Sequence, residues 1–253
     1  MNRAASVGAQ VCFFPEASDF IGLNHEDSMK LTFSHEREVF INEFKEHVKL
    51  LKIHASVGVH EPILSKDLIA NVCLWIDDEG NVIHKYQKLH LFSINAVDHQ
   101  RMKESKYIEG GKSIVPPFKT PIGNVGLAIC HDLRYPEMSI KLRNLGAEVI
   151  TYPSAFISRT GADHWTTLLC ARAIETQESI SYVIAANQAG KHNETRESYG
   201  HSMIVDPWGI VLASCSTASR EPSFCIADID SSLVHKVRKE LPLTRRNDVY
   251  PKI

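Results

Sequence analysis

Ten short apolar runs, rich in β-branched and aromatic residues, alternate along this chain with stretches of helical period, and that alternation constrains the fold most. The runs predict strands at Val11–Phe14, Ser56–His60, Asn71–Asp77, Val82–Tyr86, Val125–Cys130, Val149–Tyr152, Tyr182–Asn187, His201–Asp206, Ile210–Cys215 and Ser223–Ile229. Helices are predicted at Glu36–Ile53, Pro136–Leu145, Asp163–Glu178 and Ser231–Leu241. Pro136 in a first turn and Gly146 just past a last one have the expected polarity. Asp230 and Ser231 are candidate caps for the final helix. The turn Asp-Asp-Glu-Gly-Asn ending at Asn81 predicts a hairpin between the third and fourth strands, and Asp206–Gly209 predicts another. Ten strands and four helices in mixed order predict a layered α/β domain with helices outside and sheet inside. The stretch Asn95–Gly111 has little pattern and reads as a long surface loop, a kind of segment that often carries function.

A length of 253 residues suits one domain, 1–253, and no repeat, linker or low-complexity tract divides it. A core from a 43% hydrophobic chain of this size needs neither disulfides nor a structural metal. The formal net charge of −2 gives no pull toward nucleic acid or an anionic membrane. No apolar run approaches the roughly 20 residues that span a bilayer. The N-terminus lacks the apolar core of a secretory signal. The six cysteines, at 12, 73, 130, 170, 215 and 225, form no Cys-x-x-Cys pair, so neither a zinc nor an iron–sulfur site is expected. A reducing compartment fits them, with the cytoplasm as default and a mitochondrial pool left open.

Three segments carry chemistry. In Gly-Leu-Ala-Ile-Cys130-His-Asp-Leu-Arg-Tyr-Pro-Glu an apolar strand runs into Cys130 and a Pro-started helix follows six residues later, which places a thiol at the ligand-binding edge of a sheet. The backbone N–H of His131 would point at the same spot and could help stabilise an oxyanion. In His84-Lys-Tyr-Gln-Lys88-Leu-His-Leu-Phe, Lys88 stands at a strand end; in Val-Cys-Phe-Phe-Pro-Glu16-Ala-Ser-Asp-Phe, Glu16 does. The ordinary readings are a packed cysteine, a solvated lysine and a capping carboxylate. Together, however, the three residues fit one mechanism. A thiol needs a base or a positive neighbour to attack at neutral pH. Glutamate would take its proton and return it to a leaving amine, lysine would stabilise the tetrahedral oxyanion, and the resulting thioester would be hydrolysed. No metal or organic cofactor is required.

Phe-Pro-Glu16-Ala, Tyr-Gln-Lys88-Leu-His-Leu and Ile-Cys130-His-Asp-Leu-Arg-Tyr-Pro-Glu137 resemble, in order, the three catalytic signatures of the nitrilase (carbon-nitrogen hydrolase) superfamily. The resemblance continues through Tyr152–Phe156, Gly161–Trp165, Ala171–Gln177 and Tyr199–Gly209, and is narrower for the branch of deaminated glutathione amidases. It implies a four-layer α-β-β-α sandwich that dimerises over its outer helices, and a triad of Glu16, Lys88 and Cys130. It further implies Glu61 as a second supporting glutamate, with Glu137 and His131 beside the site. The implied partner is a small-molecule amide, deaminated glutathione first. An ω-amidase for 2-oxoglutaramate is the alternative enzyme, and an impaired paralogue serving as a scaffold the alternative of another class. Phe156 and His164 stand where members line the pocket; Arg134 and Arg172 would meet carboxylates or form structural ion pairs.

Four departures accompany the resemblance. Relatives carry about thirty more residues ahead of the Glu16 strand, a strand and a helix whose loss would leave sheet edges open. His131 replaces a tyrosine, and would either depress the thiol pKa or fill space. Asn95 stands near an acidic position in the loop after Lys88, and an amide would hold the lysine less firmly. Finally, Gln177–Tyr182 is about three residues longer than in relatives.

Overall fold

In the computed structural model, residues 1–95, 101–175, 181–217, 221–240, 246 and 248–249 are described. The helices are α1 (Asn2–Ser6), α2 (His25–Thr32), α3 (His35–Leu51), α4 (Pro136–Asn144), α5 (Ser158–Glu175) and α6 (Ser231–Glu240). One sheet has the order β1-β2-β3-β4, from β1 (Val11–Phe13), β2 (His54–Ile63), β3 (Leu68–Ile76) and β4 (Val82–Gln87). Two hairpin pairs stand apart, β5 (Ser93–Asn95) with β6 (Arg101–Lys103) and β11 (Ala189–Lys191) with β12 (Glu197–Tyr199). The second sheet has the order β14-β13-β10-β9-β8-β7, from β7 (Phe118–Thr120), β8 (Gly123–Leu127), β9 (Val149–Thr151), β10 (Tyr182–Ala185), β13 (Met203–Val205) and β14 (Val211–Ser214).

Alternation along the strands builds the layers, because successive side chains face opposite sides of a sheet. On β2 and β3, Ala55, Val57, Val59, Val72, Leu74 and Ile76 form one buried cluster with Val48, Phe40, Ile41 and Phe44 of α3. The residues between them, Cys73 and Trp75, face the other way and join the core shared with the second sheet. Trp75 bridges the layers, its ring edge-on to Phe13 at 5.9 Å and to Phe118 at 5.3 Å. Met138 and Leu142 of α4 and Trp165, Leu169 and Ala173 of α5 close the core from the far side. The result is the expected four-layer α-β-β-α sandwich.

Local signals explain the boundaries. Ser34 caps α3 by accepting the Arg37 N–H, and Asp230 caps α6 by accepting that of Ser232. Pro136 opens α4, and Gly146 follows its end at φ +104°. Both hairpins form as expected, β3 with β4 and β13 with β14. The predicted strand Ser223–Ile229 is a correction: among the described residues it pairs with no strand. It lines a groove together with Val11–Phe13 and Ile184–Asn187. The predicted helix ends at Glu178 and Leu241, and the lengthened stretch after Gln177, fall largely outside the described residues.

Parallel pairing of β8, β9 and β10 brings three carboxyl ends to one edge of the second sheet. The first sheet brings the ends of β1 and β4 to the same place. Gly58 of β2 makes that approach close enough, since a Cβ there would lie 2.5 Å from the Glu16 Cα and 2.8 Å from the Pro15 oxygen. Gly58 also donates its N–H to Pro15 O at 3.0 Å. Gly58→Ala should therefore cost about 1–3 kcal/mol by overpacking, read as a lower urea midpoint. A wild-type midpoint would contradict this packing.

Candidate active site

The turn after β8 sets the position of Cys130. Its φ of +43° lies in the left-handed region, which a residue with a Cβ enters only when its surroundings compel it. Two anchors do so. Cys130 donates its N–H to Pro153 O at 3.0 Å. Buried Asp132 accepts from Ile129 N at 2.9 Å, Tyr86 Oη at 2.7 Å and His90 N at 3.0 Å, with His90 Nδ1 at 2.7 Å from the same oxygen. The thiol thus stands on a fixed elbow and is 7% exposed.

Glu16 arrives from the end of β1 and reaches three donors. Its Oε1 accepts from Lys88 Nζ at 2.8 Å and Asn71 Nδ2 at 2.7 Å, and its Oε2 accepts from Ala155 N at 2.9 Å. Gln188, in the connection between β10 and β11, donates to the Glu16 and Ala17 carbonyls at 3.0 and 3.1 Å and holds that loop in place. Lys88 follows β4 with the same parity as inward Tyr86, so its side chain enters the space between the sheets. Its Nζ lies between Glu16 and Glu104, the latter at 3.1 Å. Glu104 in turn accepts from Phe92 N at 2.8 Å.

Charge is distributed unevenly among these groups. Burial opposes ionisation of Glu16, but the Lys88 charge and hydrogen bonds from Lys88, Cys130 and Asn71 outweigh it and hold the carboxyl below the usual carboxylate range. Burial also disfavours the Lys88 ammonium, yet Glu104 and Glu16 keep it protonated well above the ordinary lysine value. For Cys130, burial and then the negative charge of Glu16 raise the thiol far above its usual value, and Lys88 offsets only part of that. The resting site is therefore a carboxylate, an ammonium and a neutral thiol. Burial, with Lys88 and Arg134 nearby, depresses His131 to about 4, so its imidazole is neutral at pH 7 and lends the thiol no positive charge. It packs edge-on against Phe92 at 5.4 Å and Tyr135 at 5.7 Å, which is the space-filling role.

A narrow cleft, partly open to solvent, is lined by Glu16, Lys88, Glu104, Cys130, His131, Arg134, Phe156 and Arg196, among others. Phe156 and Arg134 are where the sequence placed them, the guanidinium 5.1 Å from the Phe156 ring centre. Four other residues are not. Glu61 faces the α3 side with Val57 and Val59 and pairs with Lys85 at 2.8 Å, while Glu104 occupies the supporting position beside Lys88. Glu137 is exposed on the first turn of α4. His164 is exposed and reaches the cleft only through Arg134, at 3.3 Å. Arg172 is buried as a structural donor to Leu133 O at 2.8 Å and to Glu175 at 2.6 Å. The expected effect of Asn95 falls on a side chain outside the described residues, while Lys88 donates to both carboxyl oxygens of Glu104. Reading the sequence missed Glu104, Asn71 and Arg196. Among the described residues no group of three His, Cys, Asp or Glu side chains could hold a metal ion.

Such a site can pass a proton from thiol to carboxylate while an ammonium waits for a developing negative oxygen. Since Glu16 raises the thiol, Glu16→Gln should lower the Cys130 pKa. Ultraviolet thiolate titration, referenced to the same variant with Cys130→Ala, reads the sign. An unchanged or higher value would contradict the charge arrangement.

The carbon-nitrogen hydrolase family model matches residues 1–239. The probable hydrolase nit2 of Schizosaccharomyces pombe is 48% identical over 254 residues, covering 100% of this chain and 91% of that protein. The deaminated glutathione amidase of Mus musculus is 43% identical over 256 residues, covering 99% of this chain and 77% of that protein. The crystal structure of C. elegans NitFhit superposes with a TM-score of 0.91 at 42% identity, over 98% of this chain and 60% of that longer chain. This chain belongs to the carbon-nitrogen hydrolase family of the nitrilase superfamily.

Proposed function

We propose that the chain is a thiol amidase that hydrolyses deaminated glutathione to 2-oxoglutarate and cysteinylglycine, with Glu16, Lys88 and Cys130 as its catalytic residues. The observation that carries this reading is the Lys88 ammonium seated 2.8 Å from Glu16 and 3.1 Å from Glu104 in the cleft that also holds the Cys130 thiol. The name of the mouse relative supports the choice of substrate.

In the first half-reaction the Cys130 sulfur attacks the amide carbon as Glu16 takes the thiol proton. The carbonyl oxygen becomes an oxyanion against Lys88, with the His131 N–H as a second donor. Collapse of the intermediate breaks the C–N bond, and Glu16 delivers its proton to the departing amine. A water then enters, loses a proton to Glu16 and attacks the thioester. Release of the carboxylic acid returns the proton to the Cys130 sulfur. Glu104 acts throughout as a positioning residue. When Glu16 is protonated it no longer offsets the Lys88 charge, and Glu104 keeps the ammonium charged and in place.

Cys130→Ala and Cys130→Ser should both abolish turnover with little change in melting temperature; appreciable activity in either would remove the nucleophile. Lys88→Met should lower kcat by roughly 100- to 1,000-fold, far more than it raises KM. Glu104→Gln should lower kcat less than Lys88→Met, whereas Glu61→Gln should stay within about twofold, because an exposed ion pair is worth little. The pH profile follows from the signs above. Glu16 must be ionised and is depressed, so the acid limb should fall below the ordinary carboxylate value of about 4.3. The thiol must be protonated and is raised, so the alkaline limb should lie above about 8.5. An acid limb near pH 6.5 would contradict Glu16 as the resting base. Faster cleavage of 2-oxoglutaramate than of deaminated glutathione would replace the substrate while keeping the triad.

We also propose a homodimer in a reducing compartment such as the cytoplasm. Exposed Trp208, Ile210, Val211 and Leu212 around β14, and six unpaired cysteines, support the two statements respectively. A monomer by light scattering would remove the first, and residence in an oxidising compartment by imaging of the tagged chain the second.

A further inference from the structure

Two guanidinium groups line the cleft, and they come from different segments of the chain. Arg134 follows the nucleophile by four residues on the turn Cys130–Arg134, over the Phe156 ring. Arg196 comes from the β11–β12 hairpin, where its carbonyl accepts the His192 N–H at 2.9 Å. Its Nη2 donates to Ala155 O at 3.3 Å, and the N–H of the same Ala155 donates to Glu16 Oε2 at 2.9 Å. Arg196 is therefore tied to Ala155, whose backbone also contacts the carboxylate that would protonate the departing amine and the Cys130 thiol beside it. Arg134 stands over the Phe156 ring and contacts His164 instead.

The charges favour an anionic substrate. Glu16 and Glu104 against Lys88 leave the chemical centre with one negative charge, and the two arginines turn the cleft net positive. Deaminated glutathione carries one carboxylate on the acyl part and one at the far end of the dipeptide leaving group. That leaving group spans roughly 7 Å from amine to carboxylate when extended. Resting on the substrate proposed above, we propose that Arg196 is a specificity residue that binds the terminal carboxylate of the leaving group. A guanidinium fork meets a carboxylate with two parallel hydrogen bonds, which an ammonium does not reproduce.

The test compares kcat/KM for deaminated glutathione, for its terminal carboxamide analogue and for 2-oxoglutaramate in the wild type, Arg196→Met and Arg196→Lys. The wild type should prefer the free acid over the carboxamide by roughly 10- to 100-fold, the contribution of a charge-assisted contact. Arg196→Met should lose that preference and Arg196→Lys should keep part of it, with the change mainly in KM. A preference unchanged in Arg196→Met, or none in the wild type, overturns the role of Arg196 while leaving the amidase reading intact. A wild type that ranks 2-oxoglutaramate above deaminated glutathione, or cleaves neither, overturns the substrate reading and this inference with it.

Discussion

Lys88 carries its ammonium into a site only 1% exposed, and the surrounding edge of the sandwich is arranged to make that tolerable. A lone charge so deeply buried would cost several kcal/mol. Each carboxylate near 3 Å returns attraction on the order of 5 kcal/mol at an effective dielectric constant of about 20. Two are present, from segments that share no strand: Glu16 after β1 and Glu104 after the β5–β6 hairpin. The ion cluster thus requires both segments to be in place. It also leaves the positive charge available after either carboxylate is neutralised.

The thiol is governed by the opposite logic. Buried beside Glu16, it is held as S–H, and attack must be coupled to proton transfer. This makes geometry more important than prior activation. The elbow at φ +43°, the four contacts on Asp132 and the close approach permitted by Gly58 all serve position. Proximity of this kind supplies a large part of a barrier reduction when the reacting atoms are fixed beforehand.

Glu16, Lys88 and Cys130 were legible in the sequence because each stands at or just beyond a strand end, a local feature, and because the three together fit one mechanism. Strand parity also separates the two lysines of this segment. Lys88 shares parity with buried Tyr86, whereas Lys85 and Glu61 share parity with the face that packs on α3, which is why they pair with each other. Glu104 was not legible. It lies sixteen residues beyond Lys88 in a stretch without periodicity, and only the pairing of β5 with β6 and the turn after it bring it back. Arg196 was hidden similarly in a hairpin between strands. Ser223–Ile229 has the composition of a strand, but a ladder requires a partner that composition does not reveal.

Catalysis by this site requires an acyl group to be transferred to Cys130. The most direct measurement is rapid acid quench of the protein mixed with deaminated glutathione, followed by intact-mass analysis and peptide mapping. The predicted result is a transient 2-oxoglutaryl adduct on the peptide that contains Cys130, appearing with the first release of cysteinylglycine and absent from Cys130→Ala. Turnover of the same substrate with no adduct at any time, or an adduct that maps to another cysteine, would contradict it.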